Sequence, residues 1–424
     1  MANPLYQQLE RDNDVLVLGA GVVGINAAYW LAKRGRQVTV IDRREAVALE
    51  TSYANGGQVS VCHAEPWANP RAPWQVLRWL MDSQAPLSFR PRLDAQQWRW
   101  LLQWLLECTP ARTRRNTIGI VDLALHSREL LKQQRQEHGL DYHQSSQGIV
   151  HFYRTESAFK AAQSVSHLMR DLGCNRQVID TDRVLDIEPA LSAVKRRIVG
   201  GTYTADDESG DAHLYTRAMR RVCESMGVRF VMQAEVQSVR AVSGGVEVAL
   251  NRRDDIDLPT GDYALVRARD AVVALGTAST ALLKPLGINL SLYPAKGYSM
   301  TVPIATDDMA PTVSLTDDEN KLVFSRLGNR LRVAGMAELV GYDPRIDRHR
   351  CAAMAEQVKT LFPHIRAYDQ TEYWAGLRPS TPSNRPYVGP SRIPHLWLNT
   401  GHGSLGWTMS CGSGERLSKM MLLA

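Results

Sequence analysis

The stretch Asp14-Val-Leu-Val-Leu-Gly-Ala-Gly-Val-Val-Gly24 decides the fold. Val15 to Leu18 is an unbroken apolar run, the pattern of a strand covered on both faces in a parallel sheet. Glycines follow at once. From Val22 the pattern turns helical, with small Ala27 and Ala28 allowing close packing and Gly35 closing the helix behind Lys33 and Arg34. A second apolar run at residues 37–41 ends in Asp42. Strand, glycine turn, helix, strand and acid in that order make a complete βαβ unit, a much stronger signal than three spaced glycines. Gly19 permits the tight turn, Gly21 lets a pyrophosphate approach the backbone, and Gly24 lets the helix pack on the strand. Ala20, Val22 and Val23 complete a turn whose helix N-terminus offers free N–H groups and partial positive charge to phosphates. Asp42 is placed to accept hydrogen bonds from a ribose diol, with Arg43 beside it. At this point NAD and FAD suit the motif equally.

Further along, a helix is expected over residues 211–226, a strand over 228–232, and alternating segments over 236–239 and 246–250. Asp270-Ala-Val-Val-Ala-Leu-Gly276 repeats the buried strand ending in glycine, and brings Ala274 and Gly276 to the same sheet edge. A third such strand, Leu396-Trp-Leu-Asn399, runs into Thr400-Gly-His-Gly-Ser-Leu-Gly406 and a last helix that includes residues 409–420. The dinucleotide domain is thus assembled from distant segments, separated by an insertion at 61–199 and a strand-rich stretch at 286–375.

Composition excludes several classes. The six cysteines are scattered without a C-x-x-C pair, so neither zinc nor a redox motif is indicated and reduced packing cysteines are expected. Residues 1–13 are polar and lack the apolar core of an export signal. No apolar run is long enough to span a membrane. A net charge of +6 permits an acidic partner, but the arginines are dispersed and no nucleic-acid-binding motif is present. No metal-ligand cluster, Ser-His-Asp order or paired catalytic carboxylates emerge.

With these residues in view, the chain resembles the D-amino-acid dehydrogenase (small subunit) family, within the glycine oxidase and D-amino-acid oxidase flavoprotein fold group. The likeness rests on six blocks in the same order. They are the opening motif, Leu49-Glu-Thr-Ser-Tyr-Ala-Asn-Gly-Gly-Gln58, Tyr293-Pro-Ala-Lys-Gly-Tyr-Ser299, Val333-Ala-Gly-Met-Ala-Glu338, Trp374-Ala-Gly-Leu-Arg-Pro379 and Leu398-Asn-Thr-Gly-His-Gly-Ser-Leu-Gly-Trp-Thr408. The resemblance implies an α/β fold: a Rossmann-like FAD-binding domain with a central parallel sheet, and an interleaved α+β substrate domain on a mostly antiparallel sheet. The boundaries expected are 1–60, 211–285 and 376–424 for the first domain, and 61–210 and 286–375 for the second. It also leads us to expect chain beyond Ala424.

By this resemblance the cofactor is FAD. Ser52, Asn55, Gly56, Gly57 and Gln58 lie on a loop near the flavin ring, and Val236 offers its backbone to the adenine. Unpaired N–H groups in that loop suit flavin carbonyls and nitrogens. Gly401, His402, Gly403, Ser404, Leu405 and Gly406 precede a helix, whose dipole favours the negative charge that a reduced flavin carries. Some relatives attach flavin to a cysteine in the block matching Gly376 to Pro379; none stands there, so noncovalent FAD is expected. In the resembling families the arginine at Arg378 clamps the substrate carboxylate, a task suited to a planar guanidinium. Tyr298 and His402 are secondary catalytic candidates. The activity implied is oxidative deamination of amino acids, D-enantiomers first, with electrons passed to a quinone or other respiratory-chain acceptor. Rival readings are an oxygen-using glycine, sarcosine or proline-type oxidase, an NAD-linked dehydrogenase, and a basic membrane-binding module without catalysis.

Six of the ten tryptophans crowd into the insertion 66–112, where Arg71, Arg78, Arg90, Arg92 and Arg99 outnumber Asp82, Asp94 and Glu107. Over residues 95–106, Gln96, Arg99 and Gln103 form a narrow polar stripe, and Trp98, Leu101, Leu102 and Leu105 share an apolar face that Trp100 and Trp104 widen. Such a helix suits either the core of the second domain or an anionic membrane surface. The resemblance favours the membrane, hence a cytoplasmic protein held on the inner face of the inner membrane.

Overall fold

The computed structural model describes residues 13–79, 85–252 and 264–423. Residues 1–12, with their expected lack of an export signal, Asp82 of the insertion, and Ala424 lie outside the described residues. Strand β1 (Asn13–Leu18), helix α1 (Val22–Lys33) and strand β2 (Val38–Ile41) form the βαβ unit, with Val15 beside Val38 and Leu18 beside Ile41 in parallel register. Arg229–Val231, β2, β1, Ala264–Val273 and Leu396–Thr400 lie side by side and all parallel. The hairpin Ala234–Val242 and Gly245–Arg252 extends the first half of Ala264–Val273, while its second half pairs with Leu396–Thr400.

One face of this sheet carries α1 and the helices Ala212–Ser225 and Gly406–Leu423. Small residues set the spacing: a Cβ on Gly414 would lie 2.8 Å from the backbone of Asn26. The other face is a separate apolar layer containing Leu16, Leu18, Val246, Val248, Val273 and Leu398. Burial on both sides explains why β1 reads as a continuous apolar run.

The second sheet runs Glu372–Ser380, Tyr293–Pro303, Arg330–Leu339, Leu322–Leu327, Ser314–Asp317, Ile149–Tyr153, Gly200–Thr204, Arg176–Ile179, with Leu87–Phe89 beside Arg330–Leu339. Its pairings are mostly antiparallel. The α/β fold with its two interleaved sheets is the one expected.

Two expected boundaries move. The boundary at 376 falls inside Glu372–Ser380, every residue of which pairs with Tyr293–Pro303, so the strand carrying Arg378 belongs to the antiparallel sheet. The helix Pro110–His138, assigned to the second domain, packs against Gly406–Leu423 and places Leu130 and Leu131 in the core of the parallel sheet. A Cβ on Gly412 would meet Ser127 Cβ at 2.9 Å, which is how closely these helices approach.

In the insertion, the helix Ala95–Glu107 buries Trp100 and Trp104, the widening edge of the expected apolar face, together with Gln97. Trp98 and Leu102 point outward. Burial here was set by partners distant in sequence: Gln97 bonds the carbonyls of Arg90 and Leu339, and Trp100 Nε1 donates to the Ser380 carbonyl at 2.8 Å.

Candidate active site

A cavity of about 1360 Å³ is lined by both sheets and by the insertion. Its dinucleotide end is built by the opening motif. Gly19 has φ +110°, a conformation that an L side chain rarely adopts, and a Cβ there would lie 2.6 Å from the Ala274 carbonyl oxygen. A Cβ on Gly24 would lie 1.9 Å from the Gly19 carbonyl oxygen, so helix and turn touch at that point. Gly21, by contrast, faces space: its nearest neighbour would be Ser52 Oγ at 3.6 Å. Gly21 starts α1 without a side-chain cap of its own, and the first turn faces the cavity through Val22 and Val23. Ala20 and Gly24 support the turn without lining the cavity.

Asp42 lines the cavity but is already engaged. Its Oδ2 accepts from Ala20 N at 2.7 Å and its Oδ1 from Arg44 N at 2.8 Å, and each oxygen retains a lone pair for a ribose hydroxyl. Burial pushes its pKa up, against the lowering effect of those two bonds. Arg43 is paired with Glu50 at the cavity edge. Val236 stands where the ladder with Gly245–Arg252 skips Gln237, a bulge beside the cavity. Gly276, with φ +55°, has no atom within 4 Å of its would-be Cβ, and so it opens directly onto the cavity.

The loop after Ser52 is clamped more tightly than expected. Ser52 Oγ accepts from Val22 N at 3.2 Å, and Ser325 and Arg332 hold the carbonyls of Gly56 and Asn55. The Gly57 N–H, expected to be free for a ligand, is bound by Asn55 Oδ1 at 3.0 Å. Gln58 is also engaged, its Nε2 donating to Ser314 Oγ at 2.9 Å. Gly401 to Gly406 line the cavity as expected, a short 3-10 turn leading into the helix Gly406–Leu423.

Arg378 sits at the other end, and the sheet is deformed to hold it. Lys296 pairs with Glu338 and Tyr298 with Gly335, so Met336 and Ala337 together oppose Gly297 in a β-bulge. Met336 takes φ +55°, which is strained for a non-glycine residue. Its carbonyl accepts from Arg378 Nη1 at 2.9 Å, and the Gly335 carbonyl accepts from Nη2 at 3.4 Å. The guanidinium lies against Gly297, where a Cβ would come 2.3 Å from Cζ. Among the described residues no carboxylate pairs with Arg378. Burial lowers its pKa to about 10, so it stays cationic at neutral pH. A guanidinium carries five donors, of which two meet carbonyls, and Arg378 lines the cavity.

The two secondary candidates are placed otherwise. Tyr298 is 1 % exposed and alternates to the face opposite Arg378, which pairs with Ala295. Its hydroxyl donates to Glu338 Oε2 at 2.7 Å, joining Lys296 and Arg350 around one buried carboxylate. Tyr298 therefore packs in the core of the second sheet while also contributing to the cavity lining. His402 is buried and bonded through Nε2 to Ser413 Oγ at 3.0 Å, and burial lowers its pKa to about 3. It stays neutral and anchors the glycine segment to the last helix.

Sequence reading missed Met336, His63 and Glu65. His63 lines the cavity, and burial followed by nearby Lys321 lowers its pKa to about 4. Glu65 also faces the cavity, where burial raises its pKa. The Cys-His-Ala-Glu run from Cys62 was the available signal, since polar residues in an otherwise buried segment need partners or a ligand.

A dinucleotide cradle in a cavity that also holds a cation with no carboxylate partner among the described residues marks the chain as a dinucleotide-dependent oxidoreductase. The glycines that open onto the cavity from three distant segments, Gly21, Gly276 and Gly403, fit an extended FAD. The FAD dependent oxidoreductase family matches residues 14–420, and the chain belongs to that family. It is 49 % identical to the D-amino acid dehydrogenase of Dechloromonas aromatica over 96 % of each chain. It is 46 % identical to that of Paramagnetospirillum magneticum over 96 % of this chain and 94 % of the relative. In structure it is similar to glycine oxidase from Geobacillus kaustophilus, with a TM-score of 0.73 and 21 % identity over 97 % of this chain and 94 % of the other. L-amino acid deaminase from Proteus myxofaciens aligns with a TM-score of 0.73 and 17 % identity over 98 % and 91 %.

Proposed function

We propose that the chain oxidises amino acids, D-enantiomers first, at the α-carbon, giving an imino acid that water converts to a 2-oxo acid and ammonia. The observation that carries this reading is Arg378, a half-buried guanidinium without a carboxylate partner among the described residues, lining the same cavity as the dinucleotide cradle. A substrate carboxylate supplies the missing charge with bidentate geometry. Bound FAD supplies the hydride acceptor. The chain supplies position: the Met336 bulge fixes Arg378, and Arg378 fixes the α-carbon. Neutral His63 adds no positive charge to the cavity wall, and the α-carbon gives up its hydride most readily when the substrate amine is unprotonated. The names of the relatives support the D-amino-acid class. Formation of 2-oxo acid from a panel of D- and L-amino acids with a soluble dye as acceptor tests it; turnover of L-amino acids alone refutes the enantiomer, and hydrogen peroxide formed in air in place of dye reduction refutes the dehydrogenase reading.

The electrons are proposed to enter the respiratory chain at a membrane surface. Trp74 is 75 % exposed and Leu102 63 % exposed on the two helices of the insertion, with Arg78 and Arg99 among them. Such a face, with Trp for the interface and Arg for head groups, supports peripheral attachment on the cytoplasmic side. No helix among the described residues is long and apolar enough to cross a membrane. Flotation with anionic liposomes at low salt is expected, and absence of the protein from the lipid fraction refutes the attachment.

A further inference from the structure

Beyond the dinucleotide cradle and Arg378, the cavity has a branch walled by the insertion, through Ala72, Val76, Leu77, Trp100, Leu101 and Leu105. The branch begins beside Arg378. Ala295, its cross-strand neighbour, belongs to an apolar cluster with Ala72, Trp100, Trp104 and Leu339, and Trp100 is tied to the Ser380 carbonyl two residues beyond Arg378. Val76, Leu77, Leu101 and Leu105 continue the cavity lining outward. Leu77 and Leu105 line the cavity and are also 56 % and 43 % exposed, so the branch opens at the surface between the helices Ala72–Trp79 and Ala95–Glu107. That is the same face on which Trp74 and Leu102 stand out.

We propose that this branch is the binding site and entry route for a lipid-soluble quinone, which reaches the buried cofactor from the membrane surface without passing through water. The inference rests on the reading of the chain as a membrane-attached dehydrogenase. Three properties of the branch select this occupant. Its walls are apolar and aromatic, matching a benzoquinone ring and its isoprenoid tail. Its inner end meets the substrate end of the cavity, where electrons become available. Its outer end opens on the exposed apolar face, so a tail can remain in lipid while the ring enters. In the reaction the quinone takes two electrons from the reduced cofactor and two protons, and becomes the quinol; the amino acid loses its α-hydrogen as hydride and one proton from its neutral amine, which together supply both electrons and both protons, and becomes the imino acid. The net exchange is amino acid plus quinone to imino acid plus quinol.

The test uses the holoenzyme reduced with a stoichiometric amount of dithionite, so that acceptor binding is measured whether or not an amino acid reduces the flavin. Reoxidation by a benzoquinone bearing one isoprene unit is compared with reoxidation by ferricyanide in the wild type, in Val76→Trp, which fills the branch, and in Leu77→Glu/Leu105→Glu, which charges its mouth. The quinone rate is expected to fall roughly tenfold or more, equivalent to about 1.4 kcal/mol or more, while the ferricyanide rate stays within about twofold and FAD content is unchanged. An azido-benzoquinone photolysed on the oxidised holoenzyme is expected to label the peptides containing residues 72–79 or 95–107 in the wild type and not in Val76→Trp. An unchanged quinone rate, or labelling elsewhere, overturns the proposal. If the variants instead lose anaerobic reduction by amino acids with large apolar side chains and keep their quinone rate, the branch is a substrate side-chain pocket and the proposal is also overturned. Absence of amino-acid reduction in the wild type refutes the parent reading and leaves the quinone comparison intact.

Discussion

Replacing Gly297 with alanine tests whether Arg378 must stand where the bulge places it. The new Cβ would come 2.3 Å from Arg378 Cζ and 2.4 Å from Nη1. Carbon contacts relax at about 3.5 Å, so the guanidinium must retreat by roughly 1 Å. Alanine fits the extended backbone at 297, and the fold and FAD content should survive. The retreat breaks the bond from Nη1 to the Met336 carbonyl, now 2.9 Å, and moves the substrate carboxylate with it. A misplacement of roughly 1 Å costs about 10²-fold in rate, equivalent to about 2.8 kcal/mol. Anaerobic stopped-flow reduction of the flavin is the assay, with the limiting rate and the substrate half-saturation measured separately. The decisive comparison is a double-mutant cycle with Arg378→Met. Because Gly297→Ala acts through Arg378, it should cost little more in the Arg378→Met background. Equal losses in both backgrounds, or normal kinetics in the single variant, would refute the reasoning.

Three further outcomes are expected. Gly24→Ala drives a Cβ to 1.9 Å from the Gly19 carbonyl oxygen, so flavin absorbance of the purified protein should be lost, and retention at the wild-type level contradicts the cradle. Tyr298→Phe removes a hydrogen bond to the buried carboxylate of Glu338 and should lower stability by about 1.5–3 kcal/mol in denaturant titration while leaving substrate half-saturation unchanged; a raised half-saturation would restore Tyr298 to the site. Burial holds His402 at a pKa of about 3, so from about pH 6.5 downward the unfolded chain takes up a proton that the folded chain refuses. This contribution to stability is complete above pH 6.5 and is lost as pH falls toward 3, at about 1.4 kcal/mol per unit. His402→Asn should therefore flatten the fall in stability between about pH 6.5 and 5, and an unchanged slope refutes the assignment.

What was legible in the sequence was whatever a short segment determines by itself. The βαβ unit is local, and its glycines act on neighbours within the same turn, so Gly19, Gly21 and Gly24 read correctly. The turn at Gly401 to Gly406 and its place on the cavity wall were legible because a strand, a glycine run and a helix follow one another there. What failed depended on pairing. Tyr298 and Arg378 lie in blocks that both looked catalytic, but only the register of Tyr293–Pro303 with Glu372–Ser380 reveals that their side chains leave opposite faces. Met336 looked like any apolar strand residue; its bulge exists only in the pairing with Tyr293–Pro303. The helix Ala95–Glu107 carries apolar residues nearly all round, so its periodicity could not say which side would find partners, and Gln97 was buried by carbonyls distant in the chain.

The central claim is that Arg378 presents an amino-acid carboxylate to a bound flavin, and anaerobic titration of the purified holoenzyme with D-alanine tests it most directly. The flavin absorbance should bleach with a rate that saturates in D-alanine, and in Arg378→Met the same protein should keep its flavin and lose that saturation, with half-saturation raised by about 10² or more, in line with loss of a buried charge-assisted pair. Bleaching that is unchanged in Arg378→Met, or a wild-type flavin that no amino acid reduces, contradicts the account.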